Sequence, residues 1–318
     1  MPLDGGGRGP YVPANSHHPI SGSRLISIQD QSSTHPGRPA PVRGEIRRWG
    51  LDRIFWPHFI GIGVLHLVCL AAPFTFSWSA FAVFLGLYWA VCGFGISMGY
   101  HRLLTHRGFE TSRAVRFILA AFGTMNFQGG PIHWVGIHRI HHRDSDTDDD
   151  PHSPRHGFLW AHILWCLAKD PLGRNLSDAA GDLKKEPEMV WLERWFWVPQ
   201  AVLAVILFLL GGWGWFVWGI AVRTVFTYHT TWLVNSASHV WGYKNFETKD
   251  DSRNNWWVAL ISFGEGWHNN HHAHQRSARH GLKWFEFDPT WLTLRVLEKM
   301  RIVRNVYAAP PPAGPPVG

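Results

Sequence analysis

Cysteine is scarce. The three in this chain of 318 residues, Cys69, Cys92 and Cys166, stand far apart, and two of them lie inside apolar runs. Neither a disulfide framework nor a thiolate metal site follows from them, and they read as small buried hydrophobes. Charge is also sparse, at 17% of residues against 46% hydrophobic. The zinc-protease string H-E-x-x-H is absent. The only Glu-x-x-His is Glu265-Gly-Trp-His268, which argues against the paired Glu-x-x-His motifs of carboxylate-rich di-iron bundles. The run Asp144–Asp150 begins like an EF-hand but lacks its central Gly and terminal Glu. It reads as a solvated loop whose carboxylates can still orient nearby histidines. No repeat of solenoid length occurs, and the start shows no signal-peptide pattern.

What is abundant is apolar and aromatic. Four apolar stretches stand out, at about 57–72, 78–99, 197–212 and 215–236. A spanning helix needs about 20 mostly apolar residues, so the first and third need their flanks. The links inside each pair, PFTFS and GWG, carry no charge, so each pair predicts a helical hairpin. The 20 tryptophans suit a chain with many membrane-interface positions. The expectation is an all-α membrane protein with four transmembrane helices in two hairpins and a cytosolic helical cap carrying a histidine-rich metal site. Residues 1–42, rich in Gly, Pro, Ser and His, read as a disordered tail, residues 43–300 as the membrane domain, and residues 301–318 as a Pro-rich tail.

The formal net charge is +7 with histidine neutral. Nucleic acid is one reading of a basic chain, but the Lys and Arg flank the apolar runs. Arg43, Arg47, Arg48 and Arg53 precede the first, and Arg102, Arg107, Arg113 and Arg116 follow the second. Arg194 precedes the third, and Lys244 and Lys249 follow the fourth. Cytosolic loops carry such an excess, which puts both termini on the cytosolic side. Ala114–Phe127 and Trp160–Leu167 are too short to span and read as interfacial or buried helices. Arg223 falls inside the fourth stretch and predicts a structural pair.

The 21 histidines are the outlying number. Four clusters matter: His101-Arg-Leu-Leu-Thr-His106, His138-Arg-Ile-His141-His142, Asn235-Ser-Ala-Ser-His239 and His268-Asn-Asn-His271-His272. Two share H-x-x-H-H, whose outer members lie on one helix face. Adjacent members diverge by about 100°, so one triplet can serve two metals. His101 and His106, at i and i+5, do not share an α-helical face and require a distortion. Every cluster falls on the charged side of the expected spans. Imidazole suits Fe, Zn, Cu and Ni. Nine histidines exceed one closed tetrahedral zinc site, and two sites with spare positions fit better. His133, His152, His156, His162, His229 and His274 read as structural or solvated.

The strings HRLLTH, WVGIHRIHH, DPHSPRHGF, NSASH and GEGWHNNHH resemble the membrane fatty acyl desaturases, over about residues 50 to 295. The resemblance implies His101, His106, His138, His142 and His271 for one iron. It implies His141, His239, His268 and His272 for the other, with Asn235 acting through water. It also implies O2 as co-substrate, a fatty acyl-CoA or acyl-lipid substrate, and a cis Δ9 double bond. Animal members carry Arg-Asp where this chain has Gly136 and Ile137. No cytochrome b5 domain is evident, so a separate electron donor, of ferredoxin or cytochrome b5 type, is expected. Trp134, Gln128 and Trp232 are candidate substrate-tunnel groups. A di-iron hydroxylase and, in another class, a divalent metal transporter are the alternatives. Transporters place their ligands mid-membrane, whereas these histidines lie at or beyond the ends of the spans.

Overall fold

The computed structural model describes residues 51–170 and 173–314. The expected tail 1–42, the flanking Arg43, Arg47 and Arg48, and residues 315–318 lie outside them. Almost all regular structure is helical. The helices are α1 (Trp56–Cys69), α2 (Trp78–Thr105), α3 (Arg113–Thr124), α4 (Pro131–Asp144), α5 (Pro187–Arg194), α6 (Val198–Phe216), α7 (Arg223–Ser236), α8 (Trp256–Ile261), α9 (His268–Ala273) and α10 (Pro289–Lys299). Two short strands, β1 (Glu110–Thr111) and β2 (Val303–Arg304), pair antiparallel.

Two helical stretches among the described residues are long and apolar enough to cross a membrane, Trp78–Thr105 and Val198–His239; α1 is a shorter apolar helix. The first is α-helical only to Tyr88 and π-helical over Trp89–Thr105. It therefore runs past residue 99, where hydropathy alone would end it. The second breaks at Gly212 (φ 60°, ψ −153°). Glycine reaches positive φ at no steric cost, so one residue reverses the chain. A second π segment, Val217–Val222, leads into α7.

Small residues let the helices approach. A Cβ on Gly95 would lie 2.5 Å from the carbonyl carbon of Phe122, and one on Gly99 2.9 Å from the carbonyl oxygen of Leu119. Helix α3 thus lies flat on the π-helical half of α2. Its start is set by Ser112, whose hydroxyl accepts from the Val115 amide at 3.3 Å. A tight approach of this kind gains dispersion contacts that a side chain would prevent.

Two arginines depart from the expected roles. Arg102, read above as a flanking charge, is fully buried. Its guanidinium meets Glu265 at 3.1 Å and Asp288 at 3.0 Å and donates to the Ala278 carbonyl at 2.7 Å. Arg223 makes no carboxylate pair among the described residues. It donates to Gln200 Oε1 (2.7 Å) and to the Met125 (2.7 Å) and Gly219 (3.1 Å) carbonyls. Neutral acceptors take one N–H from each of the three guanidinium nitrogens.

The start of the expected C-terminal tail is docked. Val303 and Arg304 form β2, and the Tyr307 amide donates to the Gly108 carbonyl at 2.9 Å. The Ala309 amide donates to Ser277 Oγ at 3.0 Å. Proline content suggests looseness, but the residues before the prolines keep free N–H groups, and these find partners.

Because Gly95 faces backbone, Gly95→Leu should lower thermal stability in detergent by about 1–3 kcal/mol or more, an overpacking cost. Gly86→Leu is the control, since a Cβ there meets nothing within 4 Å. Equal melting temperatures for the two variants would contradict the packing described.

Candidate metal centre

The π winding of α2 explains the first histidine pair. A π-helix bonds i to i+5, and the His106 amide donates to the His101 carbonyl at 3.1 Å. Residues five apart then share a face, and the two rings lie 4.8 Å apart between centroids. The distortion that the spacing required is this winding.

Helix α4 begins at Pro131, favoured in a first turn because its missing N–H is not needed there. His138 and His142 lie one turn apart with Nε2 atoms at 3.0 Å. His141 leaves the helix in a different direction. Helix α9 repeats this. His268 and His272 approach to 4.3 Å between ring centroids, while His271 turns to the other side. Its Nε2 lies 3.0 Å from that of His101 and 2.9 Å from that of His142.

Two groups result. His101, His106, His138, His142 and His271 form one, and His141, His239, His268 and His272 form the other; within each, the ligand atoms lie within 4.8 Å of one another. These are the same two sets that the resemblance divides. Each H-x-x-H-H triplet splits two to one between them, in opposite senses. Asn235, near the end of α7 and four residues before His239, lines the adjoining cavity with His268.

Carboxylates fix the imidazole tautomers. His101 Nδ1 donates to Glu265 Oε2 at 2.5 Å, His141 Nδ1 to Asp150 at 2.9 Å, His239 Nδ1 to Asp146 at 3.1 Å, and His272 Nδ1 to Asp250 at 2.8 Å. Each Nε2 is left as a bare lone pair aimed at its group. The Nε2 atoms of His106, His141 and His272 have no hydrogen-bond partner among the described residues. A lone pair facing other lone pairs in a buried site is costly unless a cation sits between them.

The spacings test which cation fits. Two nitrogens each about 2.1 Å from one metal are about 3.0 Å apart at a right angle and about 3.4 Å apart in a tetrahedron. Four Nε2 pairs lie at 2.9–3.1 Å, and all ligand atoms of a group lie within 4.8 Å of one another. One group offers five imidazoles, more than a closed tetrahedral zinc site takes.

Ligation needs neutral imidazole. Burial, followed by repulsion from neighbouring imidazoles, holds His138, His142, His268 and His271 well below the usual histidine range. His141 differs. Burial lowers it, but the Asp150 carboxylate more than offsets this and leaves it raised. Glu265 is held well below the usual carboxylate range. Burial works against that, and His101, His280 and Arg102 outweigh it.

Beside the metal groups lies a cavity of about 1050 Å³. His101, His138 and His268 line it, as do Gln128, Trp134 and Trp232. Trp134 Nε1 donates to Gln128 Oε1 at 3.1 Å, and Gln128 Nε2 donates to Thr231 Oγ1 at 3.2 Å. Trp134 stacks on His138 at 5.1 Å, and Trp232 stacks on Tyr228 at 5.0 Å.

Residues 76–305 match the family described as fatty acid desaturase. An enzyme of Anabaena variabilis named sn-1 stearoyl-lipid 9-desaturase is 47% identical over 259 residues, which cover 81% of this chain and 95% of that one. The chain belongs to the fatty acid desaturase family. Two more members are similar to it. The sn-2 palmitoyl-lipid 9-desaturase of Nostoc sp. (strain 36) is 40% identical, covering 86% of this chain and 96% of that one. The icosanoyl-CoA 5-desaturase of Limnanthes douglasii is 43% identical, covering 76% and 69%. This desaturase is therefore an oxidoreductase acting on a fatty acyl chain.

Several groups of the desaturase site were not singled out from sequence. Asp146 and Asp150 belong to the acidic run whose carboxylates were expected to orient histidines, and they do so at His239 and His141, but both are buried rather than solvated. Glu265 entered only as part of a Glu-x-x-His string. Thr231 and Asp250 carried no signal. His280 is buried between His101 and His271, with ring centroids at 5.4 and 4.5 Å and its Nδ1 3.2 Å from Glu265. His152, read as structural or solvated, is buried with its ring 4.4 Å from that of His141. His162, His229 and His66 form a separate chain, with Nε2 of His66 3.1 Å from His229 and Nε2 of His162 3.0 Å from it.

Two measurements check this geometry. Asp250→Asn removes the carboxylate behind His272 and should weaken metal binding about 10–100-fold, read by competitive metal titration of the purified protein. In metal-stripped protein, burial holds His152 at about 3 and His272 at about 4. Unfolded, both titrate near 6.5. The unfolded chain then binds more protons between about pH 6.5 and 4, so stability rises with pH across that window. The melting temperature of stripped protein should climb over that range and level off above it; a flat profile would contradict the assignment.

Proposed function

We propose that this desaturase removes two hydrogens from adjacent CH2 groups of a saturated long acyl chain and leaves a cis double bond at Δ9. The observation that carries this reading is the pair of convergent imidazole groups beside an apolar cavity. The residues that would hold two irons are His101, His106, His138, His142 and His271 for one, and His141, His239, His268 and His272 for the other, with Asn235 reaching the second through water. Bound iron supplies the reactivity toward O2 that an unactivated C–H bond demands. Overall, one O2, two electrons and two protons convert R–CH2–CH2–R′ to R–CH=CH–R′ and two waters.

The protein's own residues position and exclude. The linked side chains of Trp134, Gln128 and Thr231, with Trp232 beside them, shape the cavity next to His138 and hold one segment of the acyl chain there. Glu265, Asp146, Asp150 and Asp250 keep protons on Nδ1 and so keep Nε2 free. The Δ9 assignment draws on the two lipid 9-desaturases above. Four spans are the reading that best fits α1, α2 and the two halves of the stretch broken at Gly212. Arg53, Arg107, Arg113, Arg116, Lys244 and Lys249 then lie on the cytosolic side with the termini and the metal centre. Electrons come from a separate carrier of ferredoxin or cytochrome b5 type.

Expression in a host lacking the activity, followed by gas chromatography of its fatty acids, is the test. New cis-Δ9 monoenes are expected, with two irons per chain in purified protein. Hydroxy acids in their place would sink the reading. His141→Ala should abolish product while the protein stays in the membrane, and undiminished product from that variant would discard the ligand assignment.

A further inference from the structure

The two imidazole groups stand in unlike surroundings. In the group of four, His141, His239 and His272 each turn Nδ1 toward a buried aspartate, Asp150, Asp146 and Asp250. Only His268 lacks one among the described residues. In the group of five the proportion is reversed. His101 alone meets a carboxylate, that of Glu265. The neighbours of His106, His138, His142 and His271 within the group are other imidazoles.

The carboxylates themselves are answered differently. Beside the group of five, each has a guanidinium partner. Arg102 meets Glu265 at 3.1 Å and Asp288 at 3.0 Å, and the Ser97 hydroxyl also donates to Glu265. Arg139, next to His138 in sequence, pairs with Asp182, which also takes the exposed Arg107. Beside the group of four, the aspartates are held by dipoles. Asp150 accepts from the amides of Asp146 and His152, Asp146 from that of Asp251, and Asp250 from the amide and hydroxyl of Ser252. Lys244 reaches the backbone carbonyl of Asp250, at 2.9 Å, and not its carboxylate. Arg143 and Arg155 are exposed and pair with Asp144 and Asp251. An amide dipole steadies a carboxylate but leaves its net charge in place.

Buried charges act on a nearby cation through a low dielectric. A carboxylate behind an imidazole also makes that ligand more basic. Both effects favour a higher charge on the ion held in front. A fifth neutral nitrogen adds affinity for either charge state and little preference between them.

We propose that the two positions are built for ions of different charge: the group of four stabilises a trivalent ion and the group of five a divalent one. This rests on the two-iron reading above and adds which iron gives up an electron first. When ferricyanide takes one electron from the doubly ferrous centre and becomes ferrocyanide, the iron among His141, His239, His268 and His272 turns ferric and the other stays ferrous.

The test is a redox titration of the full chain loaded with isotopically enriched iron, followed by Mössbauer spectroscopy. Wild type should oxidise in two resolved one-electron steps, with half the iron ferric after the first. Asp250→Asn and Asp146→Asn should each raise the potential of the first step and bring the two steps together. Glu265→Gln should move the second step instead and widen the gap. A single two-electron step, or a first step that shifts with Glu265→Gln and with neither aspartate variant, would overturn the proposal. Glu265→Gln also loosens Arg102; should it fail to fold, the two aspartate variants decide alone. Redox-inert gallium(III), added to metal-free protein at one equivalent, gives a readout that needs no iron. Asp250→Asn should weaken its binding at least tenfold, and Glu265→Gln should leave it unchanged; equal losses would count against the asymmetry. A protein that binds gallium in this pattern but holds no iron when purified would refute the reaction assigned above and leave the difference in charge standing.

Discussion

A proton held on Nδ1 by a carboxylate, with a lone pair left on Nε2, is the interaction on which the centre of this protein depends. It recurs at His101, His141, His239 and His272. Burial alone makes imidazole neutral but does not choose which nitrogen carries the proton. The carboxylates make that choice, and the choice turns a cluster of polar side chains into a set of donors for a cation. The same carboxylates would be unstable in a buried site without their own partners. Arg102 answers this for Glu265, and backbone amides do so for the aspartates: Asp150 accepts from Asp146 and His152, and Asp146 from Asp251.

The fold follows from gathering these groups. Two apolar stretches deliver His101, His106 and His239 at their ends, while α4 and α9 bring the two triplets from opposite sides. Small residues on α2 admit α3 closely and seal one flank of the centre. The opposite flank stays open as the cavity, closed off chiefly by α1 and by the short turns Trp160–Leu164 and Trp165–Leu167. Rigid support on one side and an accessible apolar wall on the other suit a site that must hold metals still while a long flexible chain comes and goes.

Much of this was legible in the residues. The histidine triplets announced both their shared face and their division between two groups, because helical geometry alone separates positions one residue apart. The apolar stretches located the long helices to within a few residues, except at the end of α2. There the winding changes from α to π, and falling hydropathy hides a helix that continues. Arg102 was opaque because a buried arginine reads like an exposed one, and its partners Glu265 and Asp288 lie 163 and 186 positions away. His280 stands alone in a polar stretch, so no spacing marks it. Asp150 lies only nine positions from His141, a local signal, whereas Asp146 serves His239 from 93 positions away.

The acidic loop carries one more consequence. Asp146 and Asp150 sit four residues apart and answer to histidines from two different helices, and Asp146 does so at a positive φ of 62°. Surface loops ordinarily tolerate insertions and deletions. Here one added or lost residue would swing one carboxylate off its histidine while leaving the other in place. Over evolutionary time this stretch is therefore free to change its exposed letters, such as Thr147 and Asp148, but not its length.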